Sequence, residues 1–377
     1  MATQDRRPAP NRRARRDNPR QKEAQRKKRA IILGVEIVVI LLMLVVVTMA
    51  IRGEGIFKVL SNETSTRVEV NETEIQEKMN ETVLENETLK GYRNIALFGV
   101  DSTTGALEKG TRSDTIIIAS INQDTKEVKL CSVYRDTYLN KGNDKYGKCN
   151  AAYANGGPKQ AMMMLNMNLD LNITDFVTVG FQGLTDAIDA LGGVWIDVDE
   201  EEIKHINNYQ MCIAENLKRS YNEVTQTGYQ LLDGLQATAY CRIRYTKGDD
   251  YMRTFRQREV IKACMEQAKK ANASTLNKIA EAIFPEVYTS LKLDEILTVL
   301  SEVTQYQIVG DDGLPFEQYR GSGTIGANGS CVVPVNLTDN VKELHKFLFN
   351  ENDYQVSEEI SKYSDVIYND THSYLGN

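Results

Sequence analysis

The sequence predicts an α/β fold, a three-layer α/β/α sandwich around a mixed sheet, preceded by one transmembrane helix. Between residues 94 and 136, three apolar runs carry charge mainly at their ends, which is typical of strands buried on both faces. Further along the chain, apolar residues recur at helical spacing between shorter strand-like runs. Near the amino terminus, residues 30–51 are almost continuously apolar.

The amino-terminal segments predict a membrane anchor. Residues 1–29, the predicted cytoplasmic tail, carry twelve Lys or Arg against three Asp or Glu; this balance of +9 within a net charge of -7 leaves -16 for the rest. The 22 residues of 30–51 would span about 33 Å as a helix, enough to cross a bilayer. A cleaved signal peptide is the alternative, but the apolar run is long and no small-residue cleavage site follows it.

Orientation follows from the basic residues that precede the span. They predict a single-pass protein of the cell membrane, with a cytoplasmic amino terminus and everything after Ile51 outside the cytoplasm. The adjacent span also argues against a nucleic-acid partner for the basic tail. The net charge is positive before the span and negative after it, which indicates that the two parts of the chain lie in different surroundings.

Three further segments are predicted beyond the span. Residues 52–90 are polar and are predicted to form an extracytoplasmic stalk, helical around 75–89. Residues 91–350 form the predicted folded domain, and residues 351–377 a polar, tyrosine-rich tail. The triplet Asn-Glu-Thr, which is also a glycosylation sequon, recurs in the stalk at Asn62, Asn71, Asn80 and Asn86.

The apolar runs between 94 and 136 predict three neighbouring strands. The first opens at Asn94, and the second and third cover Thr115–Ile121 and Glu127–Val133. A five-residue connection joins the second to the third, which permits only an antiparallel pair. Since other connections contain helices, the sheet is predicted to be mixed.

Helical patterns follow the opening strands. Gly156-Gly157-Pro158 predicts a loop end with Pro158 at the first helical position. A strand at 176–179, a helix closed by Gly192-Gly193 and a strand at 194–198 predict a βαβ unit, with Trp195 in the core. Amphipathic helices predicted at 274–283, 294–303 and 338–349 carry packing patterns only.

All six cysteines lie beyond the predicted span, where disulfides could persist. None forms a CxxC pair or has zinc-ligand spacing. Cys131, Cys149, Cys241 and Cys264 sit in apolar patterns and are predicted to be small buried hydrophobes. A Cys212–Cys331 bridge is an open alternative.

Charged groups collect at the ends of the predicted strands. Asp101 closes the first run, Arg112 and Asp114 lead into the second, and Arg135-Asp136 closes the third. A fold that needed only stability would have Val or Thr at such positions. Opposite charges gathered at sheet edges therefore indicate a site.

A long helix predicted to open near Asp249 adds more cations. Its apolar stripe extends back, at spacings of three and four residues, to Gln257, Arg256 and Arg253. Both arginines are thus predicted to point inward where the helix dipole repels cations by about 0.3–1 kcal/mol each. A bound anion would make this placement favourable, and ion pairing with Asp249 or Asp250 is the alternative.

The arginines indicate a phosphate-bearing ligand. Arg242 and Arg244, on a segment predicted to be extended, would share one face and repel each other unless a polyanion or acids lay between them. Planar guanidinium groups match phosphate oxygens in pairs. Asp101 and Asp114 would repel a diphosphate unless a cation intervened, and Mg²⁺ typically takes one or two carboxylates plus phosphate oxygens.

Competing chemistries have few candidate residues. The chain has three histidines, none near the acidic or arginine segments, so neither a His-based zinc site nor a Ser-His-Asp triad is indicated. Neither GxxxxGK[ST] nor GxSxG occurs in the sequence.

Eight short segments between Asn94 and Val260 together resemble a known family. In this order they are similar to the LytR-CpsA-Psr family of membrane-anchored cell-wall proteins. The segments are Gly99-Val100-Asp101, Arg112-Ser113-Asp114-Thr115, Ser132-Val133-Tyr134-Arg135-Asp136-Thr137-Tyr138, Lys148-Cys149-Asn150-Ala151-Ala152-Tyr153, Gly156-Gly157-Pro158, Leu191-Gly192-Gly193-Val194, Arg242-Ile243-Arg244 and Asp250-Tyr251-Met252-Arg253-Thr254-Phe255-Arg256-Gln257.

Three positions depart from the family's usual pattern. The family usually has Ile-Pro where this chain has Val133-Tyr134, Ile in place of Cys149, and Gly in place of Met252. None of these changes removes a charged group.

The resemblance implies an enzyme that transfers a glycopolymer or its precursor from an undecaprenyl-pyrophosphate carrier to a peptidoglycan hydroxyl through a phosphodiester bond. It implies Mg²⁺, or Mn²⁺, on Asp101 and Asp114. The implied catalytic set is Arg112, Arg135, Asp136 and Asp250; the substrate-binding set is Arg112, Arg135, Arg242, Arg244, Arg253, Arg256, Gln257, Lys148 and Asn150.

A prenyl chain would also need an apolar channel, which residues 176–198 are candidates to line, although core packing explains them equally well. Two other functions stay open: hydrolysis of lipid pyrophosphates without transfer, and a non-catalytic role as a wall-associated regulator or attenuator.

Overall fold

The computed structural model describes residues 68, 70–101, 107–142, 144–244, 246–270, 287–291 and 306–375. The basic tail, the span at 30–51, the first part of the stalk and the helices expected at 274–283 and 294–303 lie outside these ranges. Within them, no helix combines the length and apolarity needed to cross a bilayer.

The described secondary structure consists of strands and helices in mixed order. The strands are β1 (Tyr92–Val100), β2 (Ser113–Asn122), β3 (Glu127–Val133), β4 (Tyr138–Asn140), β5 (Tyr146–Lys148), β6 (Asp175–Val179), β7 (Val194–Val198), β8 (Gly228–Leu232), β9 (Val287–Thr289), β10 (Gln307–Leu314), β11 (Arg320–Thr324) and β12 (Ser330–Pro334). The helices are α1 (Glu72–Gln76), α2 (Glu81–Glu85), α3 (Glu87–Lys90), α4 (Asn150–Leu169), α5 (Phe181–Ala190), α6 (Glu200–Leu217), α7 (Gly234–Tyr240), α8 (Asp249–Lys270), α9 (Leu337–Phe349) and α10 (Glu358–Thr371).

A six-stranded mixed sheet organises the domain, in the order β10-β3-β2-β1-β6-β9. As predicted from the short connection, β2 and β3 are antiparallel, whereas β1 and β6 run parallel. Successive residues of β1 enter different hydrophobic cores: Ile95 and Leu97 belong to one, and Ala96 and Phe98 to the other. Both faces of the sheet are therefore covered, and the predicted α/β class with a mixed sheet is confirmed.

Pro158 opens the longer part of α4, as predicted, but helical residues and not a loop precede the two glycines. Gly156 and Gly157 have non-helical backbone angles, and Gly157 has φ +69°, so a short helical stretch precedes a longer one. A Cβ atom at Gly157 would lie 2.5 Å from the backbone oxygen of Glu108, which leaves no room for a side chain. The kink thus lets the loop before β2 pack closely against α4.

The predicted βαβ unit at 176–198 is wrong. β7 does not join the main sheet but pairs antiparallel with β8 in a separate two-stranded sheet. Its residues alternate between buried and exposed, which is the pattern of a strand with one solvated face. Trp195, predicted to be core, is 41% exposed and stacks on Tyr229 with ring centroids 5.4 Å apart. The alternation of Trp195 and Asp197 with apolar residues at 194, 196 and 198 was the signal for a strand with one exposed face.

The described part of the predicted stalk packs on the domain. Ile75 and Leu89 are fully buried in the core on the α4 side of the sheet. The Asn80 side-chain nitrogen donates to Asp170 Oδ1 at 2.5 Å and to Ser357 Oγ at 3.0 Å. Glycosylation would modify this same nitrogen. In this fold Asn80 instead uses it to bind the segment to Asp170 and Ser357.

The carboxy-terminal segment is also part of the fold. α10 buries Ile360 and Ile367 completely in the same core, and the Ser357 hydroxyl caps the helix by accepting from the Ile360 N–H. The segment predicted as a tail thus supplies a packed helix as far as Thr371.

The cysteine predictions are confirmed for four residues. Cys131, Cys149, Cys241 and Cys264 are buried and free. Cys331 is buried as well, Cys212 is exposed, and the open alternative of a bridge between these two is not realised in the structure.

Asp311, on β10, ties the sheet edge to α8. Its carboxylate oxygens lie 2.6 Å from Arg258 Nε and 2.9 Å from Lys262 Nζ. Burial alone raises the pKa of this carboxyl, but Lys262 and Arg258 outweigh burial and lower the pKa below its ordinary value. A depressed folded-state pKa adds stability above the unfolded value of about 3.9, and that stability is lost as pH falls through the folded pKa.

We therefore expect Asp311→Asn to lower the free energy of unfolding at pH 7 by about 1.5–3 kcal/mol. The difference from the parent should shrink as pH falls below about 3.9, where the parent's carboxyl also becomes protonated. Urea unfolding across this range measures both effects. Asp124→Asn, in the exposed turn between β2 and β3, is the control, and a deficit that persisted unchanged at low pH would contradict the ion-pair explanation.

Candidate functional site

A cavity opens at the edge of the sheet where β1 and β6 end. Its volume is about 380 Å³, and it runs between the sheet and helices α5, α7 and α8. One end is charged and the rest is apolar. The charged lining comprises Asp101, Asp114, Arg135, Arg242, Arg244 and Arg253; the apolar lining includes Leu97, Ile117, Val177, Leu184, Val260 and Ile261. Such a cavity fits an amphiphile with an anionic head.

Asp101 and Asp114 lie on neighbouring strands at the charged end. Val100 pairs with Ser113, and the register shifts next to Gly99, so the residues that follow β1 and open β2 meet at one edge. Each carboxylate is near an arginine: Arg135 Nη1 donates to Asp114 Oδ1 at 2.5 Å, and Arg242 Nη2 lies 3.5 Å from Asp101 Oδ2.

Asp250, in the first turn of α8, lies among three arginines. Its Oδ1 is 2.9 Å from Arg253 Nη2, 3.7 Å from Arg244 Nε and 3.9 Å from Arg135 Nε. The Asp250–Arg253 distance is in hydrogen-bond range, but the geometry is not, and neither buried oxygen of Asp250 has a hydrogen-bond partner in the described structure. One carboxylate therefore attracts three cations by charge alone and occupies none of their donors, and the Nε atoms of Arg135, Arg244 and Arg253 have no hydrogen-bond partner in the described structure.

Burial dominates the pKa shifts of Asp250 and Arg253, whereas the acids around Arg135, Asp114 above all, outweigh burial and raise the pKa of its guanidinium. Burial raises the pKa of the Asp250 carboxyl, although Arg253 and Arg135 oppose the shift. Burial likewise lowers the pKa of the Arg253 guanidinium, despite the attraction of Asp250. The charged forms are thus incompletely compensated, as expected of cations arranged to receive an anion.

The inward direction predicted for the first turns of α8 is confirmed. Arg253 is 3% exposed and donates to the backbone oxygen of Asp114 at 3.3 Å, and Gln257 is also buried. Both line the cavity. The sequence-based alternative, ion pairing of Arg253 with Asp250, is realised at the same time, so the arginine contacts both the acid and the cavity.

Arg242 and Arg244 do not lie on a strand, contrary to the prediction. Residues 239 and 240 end helix α7, and the two arginines follow it in an irregular segment on either side of the buried Ile243. The capping box of Asp233 and Gln236 favours the helix, a local signal that the extended interpretation overlooked. Mutual repulsion on one strand face therefore does not apply, although both side chains reach the cavity.

Aromatic side chains hold Arg242, and the sequence interpretation missed them. The Arg242 guanidinium carbon lies 4.4 Å from the centre of the Phe181 ring and 5.4 Å from that of Tyr209. Phe181 opens α5 directly after the glycine that ends β6, and that position at a strand end was the available signal.

Arg256 does not line the cavity. Its Nε donates to Glu202 Oε1 at 2.7 Å, and its other nitrogens donate to the Ile243 carbonyl at 3.3 Å and the Thr246 hydroxyl at 2.9 Å. Both side chains of the Arg256–Glu202 pair are almost fully buried. With its donors occupied, Arg256 links α8 to α6, so the expectation that it binds substrate is replaced by a structural role.

The remaining residues of the predicted site lie around the cavity rather than in its wall. Asp136 is 3.1 Å from Lys148 Nζ and 3.9 Å from Arg135 Nε. Asn150 is buried, and its Oδ1 has no partner in the described structure. Arg112 is exposed, just before β2. The structure thus brings Asp136 and Lys148 next to the arginine cluster through Arg135.

Asp101 and Asp114 alone supply too few ligands for a divalent cation, so a bound substrate would have to supply the others. Within the described ranges, no group of three or more His, Cys, Asp or Glu side chains is arranged to hold a metal ion. Asp101 and Asp114 supply two carboxylates at one edge, and Mg²⁺ commonly combines one or two carboxylates with phosphate oxygens and water. Asp101 and Asp114 therefore have the ligand chemistry to hold Mg²⁺ or Mn²⁺ when phosphate oxygens and water supply the remaining ligands.

The sequence matches the LytR_cpsA_psr family over residues 57–346. It is 30% identical over 240 residues to the polyisoprenyl-teichoic acid–peptidoglycan teichoic acid transferase TagU of Enterococcus faecalis, covering 60% of this chain and 74% of that protein. It is also 30% identical over 240 residues to biofilm regulatory protein A of Streptococcus mutans, covering 58% of this chain but only 56% of the relative.

A solved structure shares the fold. Bacillus subtilis YwtF (TagT), with bound octaprenyl pyrophosphate lipid, superposes with a TM-score of 0.50 at 24% identity, covering 70% of this chain and 93% of that one.

Proposed function

This chain belongs to the LytR-CpsA-Psr family, and on that premise we propose that it transfers an anionic glycopolymer or its precursor to peptidoglycan. The donor in this proposal is an undecaprenyl-pyrophosphate carrier, and the product is a phosphodiester. The observation that carries the proposal is that arginines and apolar side chains line one and the same cavity. Transferases acting on polyisoprenyl-linked teichoic acid among the relatives support it.

The cavity suits both parts of such a donor. Arg135, Arg244 and Arg253 converge at the charged end, where guanidinium groups would contact diphosphate oxygens. The apolar wall, which includes Val177, would take the start of the prenyl chain. Lipid and anion would thus be bound at one continuous site.

The proposed reaction forms one P–O bond and breaks another. A peptidoglycan hydroxyl oxygen attacks the sugar-bearing phosphorus and releases its proton to solvent. The bond to the bridging oxygen breaks, and undecaprenyl phosphate leaves with the electron pair. Arginines held in advance meet the charge that develops on the phosphoryl oxygens. Asp250 keeps three of them in place without using up their donors. Asp101 and Asp114 would hold Mg²⁺ or Mn²⁺, which neutralises phosphate charge when bound.

The transferase proposal is tested by product analysis with and without acceptor. Purified protein receives a prenyl-pyrophosphate-linked glycan, Mg²⁺ and peptidoglycan. We expect phosphodiester-linked product and prenyl phosphate only when the acceptor is present. Equal release of prenyl phosphate without acceptor would identify a lipid pyrophosphate hydrolase. Tight lipid binding without turnover would favour a regulator, the role that the name of the Streptococcus mutans relative indicates for that protein.

The acid pair gives a second expected result. Asp101→Ala and Asp114→Ala should each lower divalent-dependent transfer on the order of a hundredfold or more, since two carboxylates facing a diphosphate require a cation between them. Thermal unfolding should change little, because both side chains are partly exposed. Asp197→Ala, on the exposed face of β7, is the matched control. A variant that kept the parental rate and the parental Mg²⁺ dependence would remove that residue from the cation site.

The membrane location is part of the same proposal. With twelve basic residues before residues 30–51, the domain is expected outside the cytoplasm of a single-pass protein. Protease added to intact protoplasts should digest the domain and leave the amino-terminal tail protected. Digestion of the tail with protection of the domain would reverse the topology and separate the enzyme from its peptidoglycan acceptor.

A further inference from the structure

Three side chains from different elements pack together beside the arginine cluster. The Arg320 guanidinium carbon, at the start of β11, lies 3.8 Å from the centre of the Tyr251 ring and 5.6 Å from that of Tyr134. The two tyrosine rings meet edge to face with centroids 4.7 Å apart. Arg320 Nη1 donates to the Tyr134 hydroxyl at 3.2 Å. These contacts join the end of β3, the first turn of α8 and the β11–β12 hairpin.

Each tyrosine is covalently next to a member of the cluster. Tyr134 precedes Arg135, and Tyr251 follows Asp250. Arg135 Nε and Asp250 Oδ1 are 3.9 Å apart with no hydrogen bond to Asp250, so this ion pair alone fixes neither orientation nor distance. The packing of the two neighbouring rings therefore adds a direct contact between the two segments, beside the links to Asp114 through Arg135 and Arg253.

The surrounding backbone is adapted to Tyr134. A Cβ atom at Gly313 would lie 2.2 Å from the Tyr134 hydroxyl oxygen, so only glycine leaves room for this ring. The Tyr134 N–H donates to the Leu314 carbonyl at 3.0 Å. Burial raises the pKa of the Tyr134 hydroxyl to about 12, with Arg320 opposing, so the group is neutral at physiological pH and accepts from Arg320.

We propose that Tyr134, Tyr251 and Arg320 form a clamp that sets the spacing of Arg135 and Asp250, and that Arg320 is a positioning residue for diphosphate binding. The inference rests on the proposed function, because it names a residue that prepares the same site. Arg320 does not line the cavity, so it acts through the two rings and not by contact with the ligand.

The test distinguishes the stacking of Arg320 on the tyrosine rings from the effect of its positive charge. In the full chain, geranylgeranyl pyrophosphate with Mg²⁺ is titrated against Arg320→Met, Arg320→Lys and Tyr251→Leu. We expect all three to raise Kd about tenfold, because Lys keeps the charge but loses the planar contact with the ring. The Kd of Tyr251→Phe should stay within twofold of the parent, since the one hydrogen bond of its hydroxyl among the described residues is to Ser322, at 3.3 Å. Arg219→Met, a partly exposed arginine paired with Asp186 and Asp189, is the control for loss of a surface cation.

A second measurement distinguishes positioning from a general effect on the fold. In an Arg135→Ala background, Arg320→Met should raise Kd no further, because the residue that it positions is gone. Parental affinity for Arg320→Lys with loss only in Arg320→Met would overturn the clamp in favour of long-range charge. Additive effects in the double variant would overturn it in favour of a structural role. If the parent itself does not bind the lipid, the proposed function fails before any variant is compared.

Discussion

Arg244→Ala and Arg253→Ala should each reduce transfer by about two to three orders of magnitude, with a matching loss of affinity for prenyl pyrophosphate. Both guanidinium groups line the charged end of the cavity and are held beside Asp250 with donors to spare. Removing either one takes away a donor already placed for the diphosphate. Steady-state transfer rates and lipid titrations on the same preparations measure the two effects.

Arg244→Ala and Arg253→Ala should differ in their free energies of unfolding. Arg244 is about one-third exposed, and Asp250 keeps Arg253 and Arg135 after its removal, so the free energy of unfolding should change by less than about 1 kcal/mol. Arg253 is buried, and its loss should also destabilise the protein. Arg219→Ala is a matched control for Arg244→Ala, because its exposure is 34% against 33% and it pairs with acids on α5. Arg244→Ala with retained affinity and a large loss of stability would place the site elsewhere.

Arg256→Met should lower the free energy of unfolding by about 3–5 kcal/mol, a larger loss of stability than that expected for either cavity arginine. The substitution removes the buried partner of Glu202 and leaves an uncompensated carboxylate, since Arg256 and Glu202 are only 3% and 6% exposed. Urea unfolding measures the loss. Affinity for prenyl pyrophosphate, titrated at low temperature where the variant is folded, should remain within about threefold of the parent.

Neutralising the acid should recover part of this loss. Glu202→Gln keeps the side-chain oxygen that accepts from the Asp199 N–H at the start of α6, so the cap survives while the charge is removed. The double variant Arg256→Met with Glu202→Gln should therefore be more stable than Arg256→Met alone. A stable Arg256→Met variant that failed to bind lipid would return Arg256 to the substrate-binding set.

Periodicity and strand-end charge predicted the positions that face the cavity. Asp101 and Asp114 were identifiable because carboxylates at the ends of apolar runs have few structural reasons to be there. The inward direction of Arg253 followed from its spacing to the apolar stripe of α8. These signals are local in the sequence, so they can be read from a single sequence without knowing the tertiary contacts.

What could not be predicted depended on partners distant in the chain. The inward direction predicted for Arg256 was correct. Its partner Glu202, however, lies 54 residues earlier, on another helix. The spacing of residues along one helix cannot predict which charged group an inward arginine will contact. β7 was placed in the main sheet because strand, helix, strand suggests it, yet the choice of β8 as partner is a tertiary one. Arg320 carried no motif, and its role follows only from the rings it contacts.

The meeting of the two ends of the domain has a consequence for synthesis. Asn80 contacts Ser357 and Asn86 contacts Glu351, across separations of 277 and 265 residues. The segment 71–90 is therefore synthesised well before the residues at 351–357 that these asparagines contact. Helix α4 and strand β1 can cover part of Ile75 and Leu89 earlier, but the packing of the segment is complete only after residue 357 has been made. A chain truncated before residue 351 would lack these contacts, so its amino-terminal segment would be held less firmly on the domain and would open more readily.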